Sequence, residues 1–231
     1  MKPVVLITGA SSGIGKATAK LFYKQGYNLV LSSRSEESLK QVTNNFSRER
    51  YQLVTGDIQE EATAKQLVAQ TRKHFGRLDV LVNNAGVGVF GSVEETSARD
   101  FDVQMRTNVR GVFLLTKHAL TLLKEQDEGQ IVMVSSMAAK NFVPDASVYC
   151  ASKWALRGFT GSLKHELRDT HIKVGSILPG SVDTPFFAKA GAQLNPERHL
   201  SPVSVAQAIF QLATQPVDAD VDEVVLRPAR K

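Results

Sequence analysis

Residues 4–15 read Val4-Val5-Leu6-Ile7-Thr8-Gly9-Ala10-Ser11-Ser12-Gly13-Ile14-Gly15. The apolar run is a strand that breaks into a glycine-rich turn and then into a helix. This is how a backbone is brought close to a phosphate. Gly9 and Gly13 lack the Cβ that would block the approach, and Gly15 lets the helix pack tightly on the strand. The helix points its unpaired N–H groups and the positive end of its dipole at the anion. The spacing is G-x3-G-x-G rather than the usual G-x-G-x-x-G, and glycine-rich turns also close ordinary strand–helix junctions.

Working outward, apolar strand candidates recur at residues 4–7, 29–31, 52–54, 80–82, 131–134, 174–178 and 224–226. Helical patterns lie between them. Ile14, Ala17, Leu21 and Phe22 repeat at 3–4 spacing, as do Val109, Val112, Phe113, Thr116, Leu120 and Leu123, and Leu156, Phe159, Leu163 and Leu167. Continuously apolar strands that alternate with helices imply a parallel sheet covered on both faces. The expected class is α/β: a Rossmann-like doubly wound sheet of seven strands in one domain spanning residues 1–231. Ligands of such folds bind beyond the carboxyl ends of the strands, where every motif below falls.

Composition narrows the class. A chain of 231 residues with 42% hydrophobic and 22% charged residues is long enough for a sizeable core. A strand begins almost at once, so no signal peptide is expected, and no apolar run reaches membrane-spanning length. The single cysteine, Cys150, excludes an internal disulfide and fits a cytoplasmic location. No Cys/His cluster has metal-ligand spacing. The net charge of +5 is spread among acidic residues, which reads as a solvated surface that aids anion capture rather than as a nucleic-acid stripe.

Strand-end residues carry the chemistry. The second strand runs into Ser33-Arg34, with no acid at 32–34. An acid there would hold a ribose 2′-hydroxyl, whereas the Arg34 fork suits a 2′-phosphate, which favours NADP(H) over NAD(H). The third strand ends at Gly56-Asp57 and the fourth at Asn83-Asn84-Ala85-Gly86, residue types that form turns and also allow close approach to a ligand. Tyr149 and Lys153, at i and i+4, stack on one helical face. A lysine beside a tyrosine is expected to lower the phenol pKa from about 10 towards neutrality, so that it exchanges a proton near pH 7.

Six motifs now stand in order: Thr8-Gly9-x3-Gly13-x-Gly15, Asn83-Asn84-Ala85-Gly86, Asn108, Ser136, Tyr149-x3-Lys153 and Pro179-Gly180-x3-Thr184. In order and spacing they resemble the classical short-chain dehydrogenases/reductases, from residue 4 to about 185. The resemblance implies that Tyr149 is the general acid/base, that Ser136 hydrogen-bonds the substrate oxygen, and that Lys153 holds the nicotinamide ribose. It implies that Asn108 supports a water in the proton relay, that Asp57 and Asn83 border the adenosine, and that Thr184 meets the carboxamide. Further cofactor contacts implied are Gly9, Ser11, Ser12, Gly13, Ile14, Gly15, Ser33, Arg34, Ile58, Asn84, Ala85, Gly86, Pro179, Gly180 and Val182. The expected activity is NADP-dependent hydride transfer between a carbonyl and an alcohol. The alternative is a non-catalytic NADP-binding sensor, disfavoured because a sensor has no need of a proton relay. A homodimer or homotetramer through the helices near 108–124 and 150–168 is also implied.

Two departures qualify the resemblance. Ala139 stands where the family often has glycine, and the Gly-Gly-rich ending of fatty-acid-synthesis ketoreductases is missing, which weakens an acyl-carrier reading. Cys150 reads as a packed helix residue, since no activating histidine is placed by sequence. The substrate lid is expected at about 185–202, with Phe186, Phe187 and Leu194. Met137, Phe142, Val143, Val89 and Phe90 are expected to add to an apolar wall without a carboxylate clamp, facing a neutral aldehyde, ketone or β-keto compound.

Overall fold

A computed structural model describes residues 2–192 and 198–229. Seven strands, β1 (Val4–Thr8), β2 (Asn28–Ser33), β3 (Tyr51–Thr55), β4 (Val80–Asn83), β5 (Gly129–Val134), β6 (Ile172–Pro179) and β7 (Glu223–Leu226), form one sheet in the order β3-β2-β1-β4-β5-β6-β7. Every pairing is parallel. The helices are α1 (Gly13–Lys24), α2 (Glu36–Thr43), α3 (Glu61–Phe75), α4 (Ala98–Met105), α5 (Val112–Leu123), α6 (Ser147–Glu166), α7 (Phe186–Lys189) and α8 (Pro202–Ala213). This is a single Rossmann-like domain, and all seven strand candidates are found, each slightly longer than the apolar run that marks it.

Both faces of the sheet are covered, which is why its strands read as unbroken apolar runs. Along β1, Val4 and Leu6 point into one core with α3, α5 and α6, while Val5 and Ile7 point into the other with α1 and α8. β5 repeats the alternation, with Ile131 and Met133 on one side and Val132 and Val134 on the other.

The order in which strands are added reverses at β1, which is flanked by β2 and β4, so the crevice for a ligand opens above its carboxyl end. Hydrogen bonds lock that end. Thr8 is buried, and its hydroxyl oxygen accepts from the backbone N–H groups of Asn84 and Ala85, each at 3.0 Å. The N–H of Ala10 donates to the Ser32 carbonyl at 3.0 Å, which sets the glycine turn beside the end of β2. Between α4 and α5 the chain makes a π-helical turn, Arg106–Gly111, which contains Asn108. Such wide turns gather at functional sites because they redirect backbone groups within a helix.

Candidate active site

The glycine turn has the backbone that its sequence demands. Gly9 and Gly13 take φ of +63° and +51°, values that side chains disfavour. A Cβ on Gly15 would lie 2.3 Å from the Gly9 carbonyl oxygen and 2.5 Å from Asn84 Nδ2, so only glycine permits this packing of α1 against the turn. A Cβ on Gly13 would meet Thr184 Cγ2 at 2.8 Å, which places Thr184 over the start of α1. Ser12 is extended at the head of α1 and does not cap it with its side chain. Neither Ser11 nor Ser12 spends its hydroxyl on a hydrogen bond among the described residues. Arg34 is exposed and has no ion-pair or hydrogen-bond partner among them.

Other predicted contacts fall into place unevenly. The Asn84 amide donates to the carbonyls of Thr8 (2.8 Å) and Gly9 (3.2 Å), so this side chain holds the turn and leaves little for a ligand. Asn83 does not face the crevice. It is buried, and its amide donates to Thr116 Oγ1 (3.1 Å) on α5 and lies against Met133 Sδ, because the strand alternation turns it under the sheet. Ile58 likewise packs into the core, with its carbonyl against Gly111. The Asp57 carboxylate accepts from the Gln59 N–H at 3.0 Å in a local turn. Gly180 donates its N–H to Leu226, and Val182, buried, bridges to Leu200, so the segment after Pro179 is tied to both β7 and the far end of the expected lid. Leu194 lies outside the described residues.

Ser136, Tyr149 and Lys153 converge. Ser136 lies two residues beyond β5 in an extended conformation, and its Oγ accepts from the Ala138 N–H at 3.1 Å. Its side chain also faces that of Tyr149, an interaction that favours the phenolate. Lys153 Nζ sits 5.7 Å from the Tyr149 ring centroid and donates to the Val134 carbonyl at 3.3 Å. Gly86 completes the floor, since a Cβ there would stand 3.3 Å from Asn108 Oδ1 and 3.6 Å from Lys153 Nζ.

Burial dominates the electrostatics and corrects the expectation for Tyr149. Its phenol is pushed up to about 12, first by burial, against which the Ser136 side chain works in the opposite direction. Burial also pulls the Lys153 ammonium down to about 8. Each group, taken out of water, favours its neutral form, and this outweighs any help that the lysine charge gives the phenolate.

Two residues not singled out in the sequence reading organise the centre. Ser152, fully buried, accepts from Asn108 Nδ2 (3.0 Å) and donates to the Tyr149 carbonyl (2.7 Å), joining the π-turn to the first turns of α6. Gln104, also fully buried, accepts from the Val89 N–H at 3.1 Å. Asn108 holds the same loop at Val87, accepting from its N–H (2.9 Å) and donating to its carbonyl (2.8 Å). A polar residue on the inner face of a helix is the only signal that marks Gln104 in the sequence.

The apolar wall is only partly as expected. Phe90 and Phe186 both pack on Tyr149, with centroids at 5.4 and 5.7 Å, and Phe187 joins them. Phe142 does not. It is 88% exposed and stacks on Trp154, and with Val143 it lines an outer groove over Cys150. The loop that carries it turns outward before Asp145, which has a φ of 55°. Among the described residues there is no cluster able to hold a metal ion, and no helix is long and apolar enough to cross a membrane.

The chain belongs to the short-chain dehydrogenase/reductase family, whose sequence model, described as short chain dehydrogenase, matches residues 3–195. It is accordingly an oxidoreductase of that family. A sepiapterin reductase of Chlorobaculum tepidum is 33% identical over 237 residues, spanning 99% of this chain and 97% of its own. The alcohol dehydrogenase of the archaeon Thermococcus sibiricus, solved in complex with 5-hydroxy-NADP, is 30% identical with a TM-score of 0.88, covering 99% of this chain and 97% of that one. A variant of actinorhodin polyketide ketoreductase, solved with NADPH, is 30% identical with a TM-score of 0.88, over 97% and 96% of the two chains.

Proposed function

We propose that this chain is an NADP(H)-dependent oxidoreductase that interconverts a carbonyl (an aldehyde, ketone or β-keto group) and an alcohol, with Tyr149 as general acid/base. The observation that carries the reading is the convergence of buried Tyr149 and Lys153 with partly exposed Ser136 at the carboxyl ends of the strands.

The residues fit a phosphorylated dinucleotide. Lys153 is a buried ammonium with three protons to donate and one acceptor, the Val134 carbonyl. Two donors are thereby left for ribose hydroxyls. The uncommitted hydroxyls of Ser11 and Ser12 and the N-terminus of α1 suit a pyrophosphate. Arg34 and Ser33 suit a 2′-phosphate, and Pro179, Gly180, Val182 and Thr184 border the nicotinamide end. NADPH, when bound, supplies the hydride.

The protein supplies position and protons. Ser136 and Tyr149 donate to the developing oxyanion, and the Tyr149 hydroxyl passes its proton to that oxygen. A phenol held near 12 is protonated at neutral pH, ready to act as the acid of the reducing direction. Asn108 spends its side chain on Val87 and Ser152, so a relay water beside it is held by the main chain of the π-turn. The chain works as a homodimer or homotetramer. The outward Phe113 on α5 and Trp154 on α6, 45% and 39% exposed, support assembly through those helices, which size-exclusion chromatography tests.

The test is a carbonyl-substrate survey that follows NADPH absorbance, with NADH in parallel. Tyr149→Phe should keep NADPH binding and lose turnover. Retained turnover removes Tyr149 from the role, and turnover of acidic substrates alone removes the neutral-carbonyl assignment. A wild-type chain that binds NADPH and reduces nothing is a sensor.

A further inference from the structure

Phe186 stands out because the molecule has made room for it. A Cβ on Gly88 would lie 2.8 Å from Phe186 Cζ and 3.1 Å from Phe90 Cε1, so the missing side chain at 88 opens a slot that the Phe186 ring enters. The other walls are the rings of Phe90, whose centroid is 6.2 Å from that of Phe186, and Tyr149, at 5.7 Å. Ala138, Ala146 and Cys150 complete the same apolar cluster, and the Lys153 ammonium stands 5.7 Å from the Tyr149 ring centroid. The slot is therefore one aromatic ring in size, lies directly against the proposed proton donor, and is lined by ring edges and faces.

Phe186 is held there lightly. It belongs to α7, a four-residue helix with no buried residue. Its backbone is tied by the Ala190 N–H, which donates to its carbonyl at 2.9 Å, but its side chain makes only apolar and ring contacts, so a ligand offering an equivalent ring can take the slot by turning the side chain aside. We infer that the slot formed by Gly88, Phe90 and Tyr149 receives the flat aromatic ring of a neutral aryl-bearing ketone or aldehyde, for which Phe186 is the internal stand-in. The inference rests on the carbonyl-reductase reading above and narrows its substrate class. An aromatic ring is preferred over a saturated one because edge-to-face packing adds to the area buried, by about two- to tenfold per contact.

The experiment compares phenylacetone with cyclohexylacetone, in which a methylene separates the ring from the ketone and keeps the carbonyl chemistry alike. Binding to the NADP⁺-loaded protein is measured by ligand-observed NMR, and turnover with NADPH is measured separately. Phenylacetone should bind about tenfold more tightly, with a matching advantage in kcat/KM. Phe90→Leu should bring the ratio towards one, and Gly88→Val, which fills the slot, should weaken phenylacetone binding by about tenfold or more. Equal or reversed preference in the wild type overturns the inference, as does an unchanged ratio in Phe90→Leu. Selective binding of phenylacetone with no turnover of either ketone supports the slot and counts against the reductase reading, so the two fail separately.

Discussion

The two halves of the cleft are built on opposite principles. The glycine-turn half is made of backbone. Gly9, Gly13 and Gly15 are placed by φ values and close contacts, and Thr8 and Asn84 spend their polar atoms on holding that backbone still. The tyrosine half is made of side chains with needs unmet: a buried ammonium with one acceptor and a buried phenol pushed to about 12. The first half has its backbone pinned and leaves the Ser11 and Ser12 hydroxyls open to solvent and ligand, as binding a fixed diphosphate requires. The second stores unfavourable desolvation where the proposed reaction would move protons, a division expected when stability is given up locally for function.

The sharpest break in this comparison is Tyr149→Phe. It removes one hydroxyl from the reactive half and should lower turnover by about 10²- to 10⁴-fold with NADPH binding intact, as read by steady-state kinetics and fluorescence titration. Gly15→Ala strikes the pinned half. Because its Cβ would meet backbone that cannot yield, it should destabilise by about 3 kcal/mol in urea unfolding, with NADPH affinity lost alongside. If Gly15→Ala unfolded like the wild type, the pinned-backbone description would be wrong.

Lys153 offers a change in the opposite direction. Its pKa falls from 10.5 unfolded to about 8 folded, so below pH 8 both states hold the proton and the full penalty of burying the charge is present. Between pH 8 and 10.5 the unfolded chain binds the proton that the folded one has released, and stability rises with pH. Tyr149 acts in reverse, its stabilising contribution fading from about pH 10 to 12. Lys153→Met should therefore stabilise the cofactor-free protein at pH 7 by about 2 kcal/mol while abolishing turnover. In the wild type, kcat/KM for reduction should fall as pH rises through about 8, where the ammonium loses its proton. A smaller effect belongs to exposed Arg34: Arg34→Ser should weaken NADPH by about tenfold, leave NADH unchanged and barely move the melting temperature.

Much of this was legible in sequence. Strict strand–helix alternation set the parallel sheet, and the spacing of Tyr149 and Lys153 set one helical face, because both follow from local geometry. What failed has a common cause. Asn83 and Asn84 are neighbours of the same type, yet one points under the sheet to Thr116 and the other into the turn, a choice made by strand register against β1 and β5. Phe142 and Phe186 both looked like wall residues, and only the path of their loops separates them.

Residue identity and spacing by themselves determined the fold class, the glycine turn and the shared helical face of Tyr149 and Lys153, since these depend on dihedral preference and on periods of two and 3.6 residues, whereas Ser136 entered through the family resemblance. Tertiary structure alone decided how Tyr149 and Lys153 titrate and what lies against them. Burial is a property of the assembled core, and it pushed Tyr149 up and Lys153 down where their adjacency along α6 pointed the other way. The slot beside Gly88 exists only because residues 98 positions apart in the chain, Gly88 and Phe186, are folded into contact.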